Sequence, residues 1–306
     1  MPPMYVPAMI LALGFAPGVF WLWYFYKQDE LEPEPLCLVR NCFLLGMLTV
    51  VPVYFLEREV SVSPIFDAVI TAPVVEESAK FLAVLLTIYR HPEFDEPMDG
   101  VIYAAAVALG FASLENVGYL YHEYSLPEGT FAGLSVIRAF FSVPGHAIWS
   151  GMWGIALGFA KCGKPRASVW MVLGGLAMAM VLHGGFNLLV SYGPLTILGL
   201  TVVIPVGWEL LRTRMIEALI ASPHASDEAR ERIRRQEAVR KQQSLMARWY
   251  EKRAVVVVLL FMPCFPVGLY GLWTTPLFSK PVKVTYAMLW VYLVVASLYY
   301  SYAQGL

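Results

Sequence analysis

Nine apolar stretches of roughly bilayer-spanning length constrain this chain more than any other feature. Read in windows of about 17–25 residues, they fall at residues 4–26, 36–56, 65–90, 100–121, 131–160, 168–191, 195–211, 254–273 and 284–302. Hydrophobic residues make up 58% of the 306, against about 45–50% in soluble domains, which leaves too little polar surface for a water-soluble globule. A β-barrel is excluded as well, because continuous runs such as Val255 to Phe261 lack the alternation a lipid-facing strand needs. The expected fold is an all-α polytopic membrane protein with about nine transmembrane helices. The first stretch has no basic n-region and no small-residue cleavage site after it, so it reads as a span and not a removed signal. Cys37, Cys42, Cys162 and Cys264 sit in or beside apolar segments, without metal-like spacing, and are read as packing residues.

Basic residues orient the chain, since Lys and Arg near span ends stay on the cytoplasmic side. The net charge of −1 hides a strong asymmetry: residues 212–253 hold 11 of the 22 basic residues, and Lys161, Lys164 and Arg166 lie in another loop two spans away. One orientation satisfies both loops, with the N-terminus outside and the C-terminus in the cytoplasm. The 212–253 segment opens its charge-rich part with Ser226-Asp-Glu, an N-cap followed by an acidic first turn. It is therefore expected as a cytoplasmic linker helix, with enough positive charge to rest on anionic lipid. It divides the chain into a seven-span body over residues 1–211 and a two-span module over residues 254–306.

Ionisable groups inside spans cost about 2.5–3.5 kcal/mol each on insertion scales, so each one calls for a function. Four consecutive spans carry them: Glu76-Glu77-Ser-Ala-Lys80 in the third, Glu115-Asn116 in the fourth, His146 in the fifth and His183-Gly-Gly-Phe-Asn187 in the sixth. With alternating direction and a rise of about 1.5 Å per residue, Glu76, Glu115, His146 and His183 all fall roughly 9–22 Å from the outer face. Glu76 shares a helical face with Lys80, and His183 with Asn187. Glu76 and Glu77 point about 100° apart, so one can face a site while the other braces it. Lys80 can hold one carboxylate charged while burial raises the other toward neutrality, the condition a general base requires. Each residue alone could be an interhelical hydrogen-bonding partner, but the set together points to a catalytic or ion-handling centre. Glu209, Asp67 and Arg138 are left outside it: Glu209 can reach Arg212, Asp67 sits near a helix start, and Arg138 has no evident partner.

These residues resemble the PrsW group of intramembrane proteases, related to the CAAX-processing and bacteriocin-immunity membrane peptidases. The likeness rests on Glu-Glu-x-x-Lys at Glu76 to Lys80, Phe-x-x-x-Glu-Asn at Phe111 to Asn116, His146 with Trp149, and His-x-x-x-Asn at His183 to Asn187. It covers roughly the first seven spans. It implies a bacterial inner-membrane endopeptidase that cuts membrane-anchored or membrane-proximal proteins, such as anti-sigma factors, with no nucleic-acid partner. The tail around Pro266 to Trp273 resembles a small two-span bacterial module.

Two mechanisms are open. In one, His146, His183 and one or both of Glu77 and Glu115 hold Zn²⁺ with an open position for water, and Glu76 takes that water's proton. In the other, Glu76 activates water directly while His183 and Asn187 donate to the oxyanion. Candidate catalytic residues are thus Glu76, Glu77, Lys80, Asn116 and Asn187; candidate metal ligands are Glu77, Glu115, His146 and His183. Cleavage is expected near the extracytoplasmic end of the substrate. The rival reading is a proton- or cation-coupled transporter or channel built on the same carboxylates and imidazoles.

Overall fold

A computed structural model describes residues 5–126, 131–162, 169–191, 199–246, 272–273, 279–280 and 283–284. The chain divides into two compact units, Met1–Ile233 and Arg234–Leu306. Every described element of the first unit is helical: α1 (Tyr5–Tyr26), α2 (Leu36–Glu59), α3 (Pro64–Phe66), α4 (Ala72–Thr87), α5 (Asp99–Ser125), α6 (Phe131–Ile137), α7 (Val143–Cys162), α8 (Val169–Ser191) and α9 (Ile204–Ala221). The linker helix α10, Asp227–Met246, runs across the division between the units. Its Ser226 hydroxyl accepts from the Ala229 N–H at 3.1 Å, the expected cap. Within the second unit Glu237 pairs with Arg240 and Lys241 along the same helix.

Five described helical stretches are long and apolar enough to cross a bilayer: α1, α2, α5, the α6–α7 run Phe131–Cys162, and α8. The chain is an all-helical, multi-pass membrane protein. The spans expected at 254–273 and 284–302, and with them the two-span module, fall almost wholly outside the described residues. The seventh expected span, 195–211, differs in its end: α9 continues to Ala221. Charge pairs three residues apart carry it onward, Arg212 with Glu209 and Arg214 with Glu217, a spacing that supports helix.

The centre of the bundle is α5, whose residues from Asp99 to Ser113 are all buried. Glycines let its neighbours approach backbone to backbone, the usual device where lipid gives no hydrophobic drive between helices. A Cβ on Gly46 of α2 would strike the Val107 carbonyl, one on Gly110 the Phe43 carbonyl, and Gly100 and Gly154 face each other's carbonyls across α5 and α7.

Three π-helical turns, Asp67–Thr71, Arg138–Ser142 and Gly199–Val203, each run into the helix that follows. Each is followed two residues later by a proline: Pro73, Pro144 and Pro205. Proline has no N–H and its ring crowds the carbonyl four residues back; the wider turn relieves that crowding. The carbonyl left free by Pro73 is that of Val69, and Gly184 of α8 closes on it. Two of these turns lead directly into the helices that carry Glu76 and His146.

At the opposite end from these turns, the loop between α1 and α2 and the loop before α5 bury four carboxylates, Asp29, Glu34, Glu96 and Asp99. Burial, with Glu96 and Asp99 close by, pushes Asp29 up to about 8. Burial, with Asp99 beside it, pushes Glu34 up to about 10. Cys37, Cys42 and Cys162 are free thiols; Cys42 is buried and Cys162 half-buried, as packing residues would be, while Cys37 is exposed, and Cys264 is outside the described residues.

Candidate active site

One turn of α4 brings Glu76, Glu77 and Lys80 inward, all three buried. The Lys80 ammonium, with no exposed surface, lies 2.9 Å from Glu76 Oε2, 3.0 Å from Glu77 Oε1 and 3.0 Å from His146 Nδ1. An ammonium has three protons and no lone pair, so all three are spent here and His146 Nδ1 must accept. The Phe111 ring of α5 stands under the same ammonium, 4.2 Å from its centroid, adding a cation–π contact.

Glu77 is fully buried and saturated. Its Oε1 takes Lys80 and, at 3.2 Å, His183 Nδ1. Its Oε2 accepts from Ser150 Oγ at 2.7 Å and from Trp153 Nε1 at 3.0 Å. A carboxylate offers about four lone-pair sites, and four donors fill them. Glu76 instead borders a partly open cavity of about 240 Å³, lined also by Glu115, His146, His183 and Asn187; at about 30 Å³ per molecule that is room for about eight waters. The two neighbouring glutamates therefore divide their roles, one facing the cavity and one braced.

Each imidazole has a carboxylate on one nitrogen. His183 Nδ1 faces Glu77 at 3.2 Å and His146 Nε2 faces Glu115 Oε2 at 3.3 Å. An ionised carboxylate only accepts, so those nitrogens carry the protons, and the other nitrogen of each ring keeps its lone pair. The rings stand edge to face with centroids 4.9 Å apart.

Glu115 differs in place from the expected metal set. Its Oε2 is 2.6 Å from the Arg138 guanidinium, so it is tied to that cation and to His146. Asn116 is the clearest correction: it does not border the cavity. Its Oδ1 accepts from Arg138 Nε at 2.7 Å, and its Nδ2 donates to the Leu13 and Gly14 carbonyls of α1 at 3.4 Å each. It holds Arg138 in place. Asn187 does border the cavity, with Nδ2 donating to the Ala68 carbonyl at 2.9 Å. Arg138, set aside in the sequence for want of a partner, has two, and stacks over Tyr119 at 4.0 Å. Ser150 and Trp153 were also missed; their positions four and seven residues after His146 put them on its helical face, which was the available signal.

Donor chemistry fits a metal ion. Glu76, Glu77, His146 and His183 each offer one ligand atom within a group no wider than 4.8 Å, and ligands of a tetrahedral zinc stand about 3.3 Å apart. Modest contraction would close the set. Carboxylate–imidazole pairing of this kind is also what orients metal-binding histidines.

Comparison with known proteins gives the same direction. A family model described as PrsW family intramembrane metalloprotease matches residues 34–209. Proteins named Protease PrsW are similar over this region. The one from Geobacillus kaustophilus is 38% identical over 58% of this chain and 78% of its own length; that from Bacillus subtilis is 35% identical over 60% and 83%. The Oceanobacillus iheyensis protein is 33% identical, again over 60% and 83%. No solved structure matches the chain significantly.

Proposed function

The chain belongs to the PrsW family of intramembrane proteases, and from that membership we propose that the cavity beside Glu76 is where it hydrolyses peptide bonds of membrane-anchored proteins, regulators of the anti-sigma type among them. The observation that carries this reading is the division between the two glutamates. Glu76 borders a cavity with room for several waters while four donors hold Glu77 in place.

In this mechanism Glu76 takes the proton of an attacking water and returns it to the leaving amine. Lys80 holds Glu76 in place through its 2.9 Å ion pair. Glu115 and Arg138 fix the His146 ring, and Glu77 fixes that of His183. The metal, with zinc as the best match to a mixed imidazole and carboxylate set, would be held by His183, by His146, whose Nδ1 would give up Lys80, and by Glu77, which would exchange one of its four donors for the ion. When bound it would lower the pKa of the attacking water and polarise the scissile carbonyl. Asn187 borders the same space and would steady the substrate backbone.

The test is metal dependence in purified, reconstituted protein with a single-span substrate. Chelation is expected to stop cleavage, and zinc to restore it, with about one ion per chain. His183→Ala is expected to lose both ion and activity. Full cleavage by metal-free protein would remove the metal from this scheme and leave Glu76 acting alone.

A further inference from the structure

A second set of acidic groups lies at the other end of the bundle, the end that the basic loops assign to the cytoplasm. Asp29 is 3% exposed and Glu96 is 0% exposed. Both oxygens of each have no hydrogen-bonding partner, and neither do Glu34 Oε1 and Asp99 Oδ1. The two remaining oxygens are satisfied: Glu34 Oε2 accepts from the Tyr103 hydroxyl, and Asp99 Oδ2 accepts from the backbone N–H groups of Asp95 and Glu96 at 2.7 and 2.8 Å. Six of eight carboxylate oxygens are thus buried and unpartnered in one place. Asp29, Glu96 and Asp99 each present an oxygen within a group no wider than 4.8 Å.

Buried polar atoms are nearly always paired, and buried carboxylates without a counter-charge are costly. Among the described residues no Lys or Arg pairs with any of the four. His224, whose charge acts on Glu96, is taken by Asp95 at 3.0 Å. Arg230, also nearby in sequence, spends its guanidinium on the carbonyls of Ile220 and Ser222. The chain has placed its positive charge elsewhere and left an all-oxygen cage of buried carboxyls, the ligand set of a hard divalent cation and not of zinc.

We propose that Asp29, Glu34, Glu96 and Asp99 form a binding site for a divalent cation of the calcium and magnesium class, separate from the protease centre. Residues from the α1–α2 loop and from the loop leading into α5 meet there, so the ion fastens those two loops to each other and to the buried end of α5. Tyr103 and the two backbone N–H groups hold one oxygen each of Glu34 and Asp99, which leaves the other oxygen of each for the ion. The cation is a structural clamp: its binding stabilises the folded bundle in proportion to occupancy.

The experiment uses full-length protein in detergent, stripped with a chelator and melted with chelator, with calcium chloride or with magnesium chloride. One or both salts at millimolar concentration should raise the melting temperature by about 5 °C or more, and the more effective salt names the ion. Asp29→Asn/Glu96→Gln should show no rise, and in chelator it should be at least as stable as the parent, because it no longer crowds unpartnered carboxyl oxygens together. Terbium emission excited through tyrosine should fall at least about tenfold in that variant and persist in Glu76→Gln. A parent whose melting temperature ignores both salts would overturn the site, as would a rise of the same size in the double variant. Should the double variant not fold, the parent's comparison of chelator with calcium and magnesium decides alone.

Discussion

Lys80→Met should unfold this protein more readily than any other single change in the bundle. Its ammonium is the shared partner of Glu76, Glu77 and His146, and removing one side of a buried ion pair costs about 3–5 kcal/mol, because the other charge stays behind. Neutralising Glu77 as well removes part of that remainder. Lys80→Met/Glu77→Gln is therefore expected to lose less stability than the two single variants added together, with a coupling between the two sites of about 1–3 kcal/mol. Thermal melts in detergent of both single variants and the double give that number. Strictly additive losses would mean that Lys80 stabilises by packing on Phe111 alone.

Glu76→Gln should do the reverse, losing activity and keeping the fold. A glutamine still accepts from Lys80, and the cavity it borders has room for water to meet its amide, so the melt should stay near that of the parent. Loss of a positioned general base lowers rates by about 10²–10⁴, and cleavage should fall within or beyond that range. The neighbour gives the contrast. Glu77→Gln replaces an acceptor for four donors with a group that has only one acceptor atom, leaving buried donors unmatched at about 1–3 kcal/mol apiece. A stable Glu77→Gln beside an unstable Glu76→Gln would reverse the roles assigned here.

The apolar runs placed most of the described helices to within a few residues, because span length is fixed by bilayer thickness and little else competes. The site motifs were legible for a related reason: in a segment that should be apolar, Glu76, Glu77, Lys80, Glu115, His146 and His183 are costly enough to be noticed. Arg138, Ser150 and Trp153 escaped because each becomes meaningful only through a partner on another helix, and hydroxyl and indole groups are ordinary in a span. Asn116 misled for the same reason. Its neighbour Glu115 turns toward His146, while one residue on, about 100° around the helix, the carboxamide faces α1. Pro73, Pro144 and Pro205 stood in the sequence as a signal for the three π-helical turns. The acidic cluster at Asp29 and Glu96 was invisible for a different reason. Charges in loops look solvated until two distant loops are folded against each other.

The most direct measurement is made on purified protein in liposomes with a single-span substrate, in water labelled with ¹⁸O, with ion flux followed in the same vesicles. Cleavage of the substrate near its extracytoplasmic end, with label in the new carboxylate and no cleavage by Glu76→Gln, is the predicted result. Ion flux carried by the parent and lost in Glu76→Gln, with the substrate left intact, would contradict it and give the buried glutamates and histidines to transport.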